Sequence, residues 1–251
     1  MLFSELKEYL DFKSIQYNTK DFIESDPIQI PHRFSKKEDV EIIAFLVSTI
    51  AWGKRSMIIK SSERLLEIMQ HSPFDFIQNY EENKNLDFVH RTFNGIDLDF
   101  FFRSLKNIYE KGGLELAFSK NSEIEGIKGR IVNFRELFLE TAHEKRSEKH
   151  ISNPLKNSAT KRINMFLRWM VRDDKTGVDF GIWKSISTSE LFLPLDVHTS
   201  RISRELGLLH RKQDDWKALE ELMQKLREMD AKDPVKYDFA LFGIGVFENE
   251  K

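Results

Sequence analysis

Apolar residues recur along most of this chain at three- and four-residue intervals, and only 11 glycines and 6 prolines interrupt them. That period is the signature of helices with one buried face, and it predicts an all-α fold. A first helix is expected over residues 2 to 14, followed by an irregular stretch through SDPIQIPH, where Pro27 and Pro31 argue against helix. Ser35 and Glu38 then have the spacing of a capping box ahead of the apolar run VEIIAFLVSTIAW, which predicts a central, buried helix ended by Gly53. An amphipathic helix should follow to about Gln70, with further helices over 73–80, 97–111 and 130–143, the second of these stopped by Gly112 and Gly113. HEKRSEKHISNP is charged and polar and predicts a surface loop. Pro194 blocks a helix from running through FLPLDVHTSRISRELGL, so Asp196 is expected as the N-cap of a helix over 197–206, with Gly207 as its stop. A helix over 214–229 and a last one, capped by Asp233 with Pro234 at its first position, complete the pattern.

One predicted helix departs from simple amphipathicity. In KRINMFLRWMVR, with Ser158 taken as N-cap, Ile163, Phe166, Leu167 and Met170 form one apolar face. Lys161, Arg168 and Arg172 form a stripe of their own, seven and eleven residues apart and thus near whole turns, while Arg162 shares an adjacent face with Trp169. The stripe is either a solvated cationic face or a surface for an anion such as phosphate. Lys161 falls in the first turn, where the partial positive charge of the helix end and the neighbouring arginines favour loss of its proton. A lysine so placed can act as an amine nucleophile toward a sugar carbon, or it can simply bind phosphate. Asp196 stands in the opposite situation, because first-turn N–H groups hold an N-cap carboxylate ionised; it can serve only as a cap, or steady a cation.

Composition limits the chemistry further. The 251 residues carry 39 Lys and Arg against 41 Asp and Glu, a formal net charge of −2, so any nucleic-acid surface must come from local clustering. No cysteine is present, which removes disulfides, thiolate metal sites, iron–sulfur clusters and cysteine nucleophiles. The segment MLFSELKEYLDFK alternates charge with apolar residues where a secretory signal has an unbroken apolar core, and Ile42 to Trp52 is too short to cross a bilayer. A cytoplasmic protein without a membrane partner is expected. Glu140 and His143 form a single Glu-x-x-His, whereas helical metal sites of that type need two such pairs. A helical metal protein is therefore a third reading only. His198 is expected on the first turn after Asp196, as a supporting partner or a surface histidine.

KRINMFL and LDVHTSRISRELGL carry a family resemblance. Together they resemble the helix-hairpin-helix DNA glycosylases of the endonuclease III type, which have a catalytic lysine with an asparagine three residues on, then an aspartate in a V-D-x-H-V-x-R-x-x-x-R-L-G pattern. Lys161, Asn164, Asp196, His198, Arg201, Arg204, Leu206 and Gly207 match as they stand. The phrases NMFLRWMVR, PLDVHTSRISRELGL and DPVKYDFALFGIGV are closer still to a bacterial family of conserved hypothetical proteins. The resemblance implies a two-lobed helical fold: a central lobe over 38–170 including a degenerate hairpin, and a second lobe over 171–251 completed by 1–37, with Lys161 and Asp196 in the cleft between them. It implies a DNA repair N-glycosylase or abasic-site lyase without a cofactor, acting on a flipped-out damaged nucleotide in duplex DNA, with Lys161 as nucleophile and Asp196 as acid–base and electrostatic residue. Lys54, Arg55, Asn157, Arg162, Arg168, Arg172 and His198 are the expected nucleic-acid contacts. The superfamily hairpin L-P-G-V-G-x-K is replaced here by LKNSATK, and the loss of its glycines supports an alternative, a non-catalytic nucleic-acid-binding protein on the same fold.

Overall fold

A computed structural model describes residues 2–83, 85–120 and 122–248. Helix dominates, as the sequence period requires. The described chain forms α1 (Phe3–Tyr17), α2 (Lys20–Ser25), α3 (Lys37–Thr49), α4 (Arg55–Ile68), α5 (Pro73–Gln78), α6 (Gly95–Glu110), α7 (Leu114–Ser119), α8 (Gly126–Phe138), α9 (Lys161–Val171), α10 (Val197–Glu205), α11 (Trp216–Met229) and α12 (Tyr237–Gly243). A two-stranded antiparallel hairpin, β1 (Val89–His90) and β2 (Phe93–Asn94), sits ahead of α6. The chain divides into two compact units, one of residues 1–24 with 154–251 and the other of residues 25–153.

The unit of residues 25–153 is built round α3, whose residues Ile42 to Val47 are buried on every side. That all-round burial is why the run VEIIAFLVST carries no polar stripe. Phe45 meets Phe101 of α6 and Phe134 and Phe138 of α8, with ring centroids 5.5 to 6.0 Å apart. Asn94 caps α6 by accepting from Ile96 N and Asp97 N, and Gly112 and Gly113, both at positive φ, end it. Ser35 does not cap α3, whose first flanking residue is Lys36 and which has no side-chain cap. The stretch 20–33 contains α2 and two short 3-10 turns where an irregular segment is expected, because Pro27 and Pro31 each open a turn at a position that tolerates proline. The segment 145–150 is likewise a 3-10 turn, with Ser147 and His150 buried.

The other unit joins the two ends of the chain. α1 packs along α12, and Gly243 allows it: a Cβ there would lie 2.2 Å from the Tyr17 ring. α12 also packs against α10. Asp215 caps α11, and Gly207, at φ 71°, follows α10 in the left-handed position expected for a helix stop. The unit boundaries differ from 37/38 and 170/171. Residues 25–37 stay with the middle helices because their 3-10 turns bury Ile28 and Ile30 beside α3 and α4. α9 belongs with the C-terminal unit because the following loop closes over it: Phe180 N and Trp183 N donate to the carbonyls of Trp169 and Met170, and Trp183 meets Phe166 edge to face.

Candidate active site

The site is built on the N-termini of α9 and α10. Helix α9 begins at Lys161, three residues past Ser158, because the turn before it runs through left-handed backbone that a right-handed helix does not contain. Asn157 and Thr160 both have positive φ, 61° and 45°. Asparagine tolerates that conformation; a β-branched threonine does so only when its surroundings impose it. Asn164 imposes it here. Its Nδ2 reaches back to the carbonyl of Ala159 (3.0 Å) and to Thr160 Oγ1 (3.3 Å), closing the turn that presents Lys161. Ser158, the expected cap, instead pairs with Asp215 as an isolated bridge and accepts from Thr160 N at 3.3 Å.

Lys161 is brought to Asp196. The amine lies 3.7 Å from Asp196 Oδ2, with the lysine side chain 38% exposed and that of Asp196 10% exposed. Asp196 is the N-cap of α10, and its other oxygen accepts from Thr199 N at 2.8 Å. One carboxylate oxygen is therefore fixed by the helix and the other faces the amine. The local sequence sets this up: Pro194 cannot donate a backbone hydrogen bond, and Asp196 then satisfies a first-turn donor. His198 is on the surface with its ring edge-on to Phe242 at 6.1 Å, held there because Gly245 lets the end of α12 approach α10 closely.

The remaining expected contacts do not form an exposed basic stripe. Arg168 and Arg172 are each only 4% exposed, and both are enclosed by carboxylates. Arg168 donates to Asp179 Oδ1 at 3.2 Å and to Asp238, and Arg172 donates to Asp174, to Asp179 Oδ2 at 3.1 Å and to both oxygens of Asp233 at 3.0 and 3.1 Å. The Phe239 ring lies under both guanidiniums, 4.5 and 5.3 Å away. The expectation that they face a phosphate backbone is thereby corrected: these two side chains face inward, where acids from later in the chain neutralise them. Arg162 is half-buried, and desolvation pushes its pKa down to about 10. Asn157 turns its amide to Asp215 Oδ2 (2.7 Å), and its carbonyl accepts from Trp216 N, so the turn before α9 is stitched to the start of α11. Lys54 and Arg55 open α4 in the other unit, Lys54 exposed and Arg55 donating to Ser25 Oγ at 3.4 Å.

Sequence reasoning missed Asp238. It lies on α12 within YDFALFG, where an acid among apolar residues signals a buried partner, and that signal could have found it. Burial raises its pKa to about 7, with Asp196 and Asp179 pushing the same way and Arg168 and Lys161 opposing. Its partner Arg168 lies two turns along α9 from Lys161, and α12 packs against α10, so Asp238 borders the site. The metal reading fails locally: Glu140 pairs with Lys111, and His143 packs on Phe100 with its Nδ1 2.6 Å from the Thr141 carbonyl oxygen. Among the described residues no group of three or more His, Asp or Glu is placed to hold a metal ion. Among them, too, no helix is long and apolar enough to cross a membrane.

Fold and site together define an all-helical protein in which two helix N-termini juxtapose a half-exposed lysine and an N-cap aspartate. Residues 26–247 match the family described as a protein of unknown function, DUF2400, and the chain belongs to that family. No curated protein and no solved structure matches it.

Proposed function

We propose that the protein is a DNA repair N-glycosylase or abasic-site lyase in which Lys161 is the nucleophile and Asp196 the carboxylate that supports it. One observation carries this reading: an accessible primary amine lies 3.7 Å from a carboxylate whose second oxygen is anchored to a helix N-terminus. In the proposed chemistry the neutral Lys161 amine forms a bond to C1′ of a flipped-out nucleotide as the bond from C1′ to the base breaks. The base leaves with the bonding electron pair and takes up a proton. Asp196 stabilises the positive charge that develops on the sugar and accepts a proton from the newly bonded nitrogen. On an abasic site the same amine adds to the C1′ aldehyde, water leaves, and an imine remains.

Borohydride supplies the test, because it reduces that imine to a stable adduct. Incubation with abasic duplex DNA and borohydride should give a covalent complex whose modified peptide contains Lys161. Lys161→Gln should abolish it, and Asp196→Asn, which keeps the cap oxygen, should slow it by about 10²-fold or more. An adduct that survives in Lys161→Gln would defeat the assignment of the nucleophile. The second reading, a non-catalytic nucleic-acid-binding protein, draws support from Asn157, which occupies a hairpin glycine position but spends its amide on Asp215. Salt-sensitive DNA binding, with neither adduct nor base release, would favour it.

A further inference from the structure

The proposed chemistry uses Lys161 and Asp196 and leaves their buried neighbour without a role. Asp238 sits on the first turn of α12, 5% exposed, with one oxygen taken by Arg168 Nη1. Arg168 is two turns along α9 from Lys161, and α12 packs against α10, whose cap is Asp196. We propose that Asp238 is a positioning residue for the Lys161–Asp196 pair: anchored on Arg168, its carboxylate sets, through its charge and not by contact, the readiness of the Lys161 amine to react. This rests on the reading of that pair as the reactive one, but its test needs neither DNA nor turnover.

The arrangement of charge supports the assignment. Arg168 and Arg172 supply two cations to four carboxylates, those of Asp174, Asp179, Asp233 and Asp238. Against its burial, donors from Asn18, Thr176 and Gly177 N hold the Asp174 carboxyl below the usual range, and Asp233 is partly exposed, so the shortage of cations falls on the buried Asp179 and Asp238. A proton retained on the network relieves this. Asp179 has its pKa raised by complete burial against the pull of Arg168 and Arg172, and that of Asp238 is pushed up to about 7. Asp238 is tied through Arg168 to α9, the helix of Lys161, and is carried by a helix packed on α10, the helix of Asp196. Other elements packed on α12 bring charges that are already matched. From α1 come Asp11, paired with Tyr237 and Lys236, and Lys13 and Tyr17, both paired with Glu248. From the end of α11 comes Asp230, paired with Lys236, and from α10 comes Arg201, paired with Glu205, while His198 faces the Phe242 ring.

The experiment is competitive acetylation of the DNA-free protein with trace acetic anhydride, read peptide by peptide by mass spectrometry. The exposed Lys175 and Lys217 serve as internal standards. Loss of the Asp238 charge should favour the neutral amine, so Asp238→Asn should raise Lys161 labelling at pH 8 by about three-fold relative to those two lysines. Asp238→Glu, which keeps the charge, should restore the original rate. Asp196→Asn, which removes the nearer carboxylate, should raise labelling more. Labelling unchanged in Asp238→Asn but raised in Asp196→Asn would overturn the proposal. Should Asp238→Asn not fold, Asp238→Ser, smaller and likewise uncharged, takes its place: raised Lys161 labelling is expected, and labelling equal to that of the unaltered protein would overturn the proposal. Because acetylation involves no substrate, this result stands whether or not borohydride trapping succeeds.

Discussion

Asp97 and Asp238 are both buried aspartates that accept from an arginine, yet their surroundings drive them in opposite directions. Asp97 is fully buried in the unit of residues 25–153. Its Oδ1 accepts from Ser147 Oγ at 2.6 Å and Arg146 Nη1 at 3.1 Å, and its Oδ2 accepts from Asn94 N at 2.9 Å. His150 Nε2 stands 3.4 Å from Oδ2, near enough to attract but off the line of a hydrogen bond. Burial alone would raise the Asp97 pKa, but His150, Ser147 and Asn94 together pull it down to about 2. Burial raises the Asp238 pKa, Arg168 pulls it down, and Asp196 and Asp179 add to the rise, which takes it to about 7. A carboxylate surrounded by donors is a structural rivet; one that shares too few cations with other carboxylates is a proton store. That contrast separates the architectural centre of one unit from the candidate chemistry of the other.

The contrast is broken most severely by Arg172→Ala. This removes donors from Asp174, Asp179 and Asp233 at once and leaves their charges buried together. Breaking a buried pair by deleting one partner costs about 3–5 kcal/mol, and here the loss should fall at the upper end. Urea unfolding should show a lowered midpoint. Arg168 and Arg172 read as surface cations would instead predict a change near zero for the same substitution. Measured stability thus decides whether the stripe is interior.

The pH dependence of stability sharpens the same comparison, because the two aspartates act at different ends. Asp97 has a folded pKa below its ordinary value of 3.8. Its contribution is fully present above pH 4 and is lost as pH falls toward 2, and the shift corresponds to about 2 kcal/mol. Asp238 has a raised folded pKa, so the folded state binds the proton more tightly and stability from this group falls as pH rises from about 4 through 7. Unfolding followed across pH should therefore show an acid limb that Asp97→Asn removes and a decline toward neutrality that Asp238→Asn removes. An acid limb unchanged in Asp97→Asn would mean that the turn over 145–150 is held by something other than this carboxylate.

The sequence made much of this legible and hid the rest for physical reasons. Helix positions follow from period and caps, and Asp196 as N-cap and Gly207 as stop are both found as expected. Spacing also places Lys161, Arg168 and Arg172 on one face of α9, but it cannot say whether that face meets water or acids; the partners Asp233 and Asp238 lie 61 and 70 residues further on. The hairpin of β1 and β2 carried no warning because its turn has Arg91, at φ 56°, where glycine or asparagine would ordinarily announce it. Lys161 and Asp196 stand out in the sequence by their places at expected helix N-termini, and their 3.7 Å approach brings together two segments that are 35 residues apart in the chain.

The smallest expected effect concerns the turn that presents Lys161. Asn157→Gly installs the residue that the hairpin motif resembled by LKNSATK has at this position. At φ 61° glycine carries no steric penalty, a gain of about 1 kcal/mol, while the unfolded chain becomes more flexible and the Asn157 Nδ2 bond to Asp215 is lost, each costing roughly that much. Asp215 would not be orphaned, since Arg211 and Ala218 N still donate to it, and Arg211 remains the main influence holding its carboxyl well below the usual range. The carbonyl of residue 157 would still accept from Trp216 N. The net change should be a destabilisation of about 1 kcal/mol or less, with α11 still docked. Denaturant unfolding gives the first figure, and amide exchange at Trp216 the second. A loss of several kcal/mol, or a Trp216 amide that exchanges freely, would show that the side chain of Asn157, and not the path of the backbone, holds the turn before Lys161 in place.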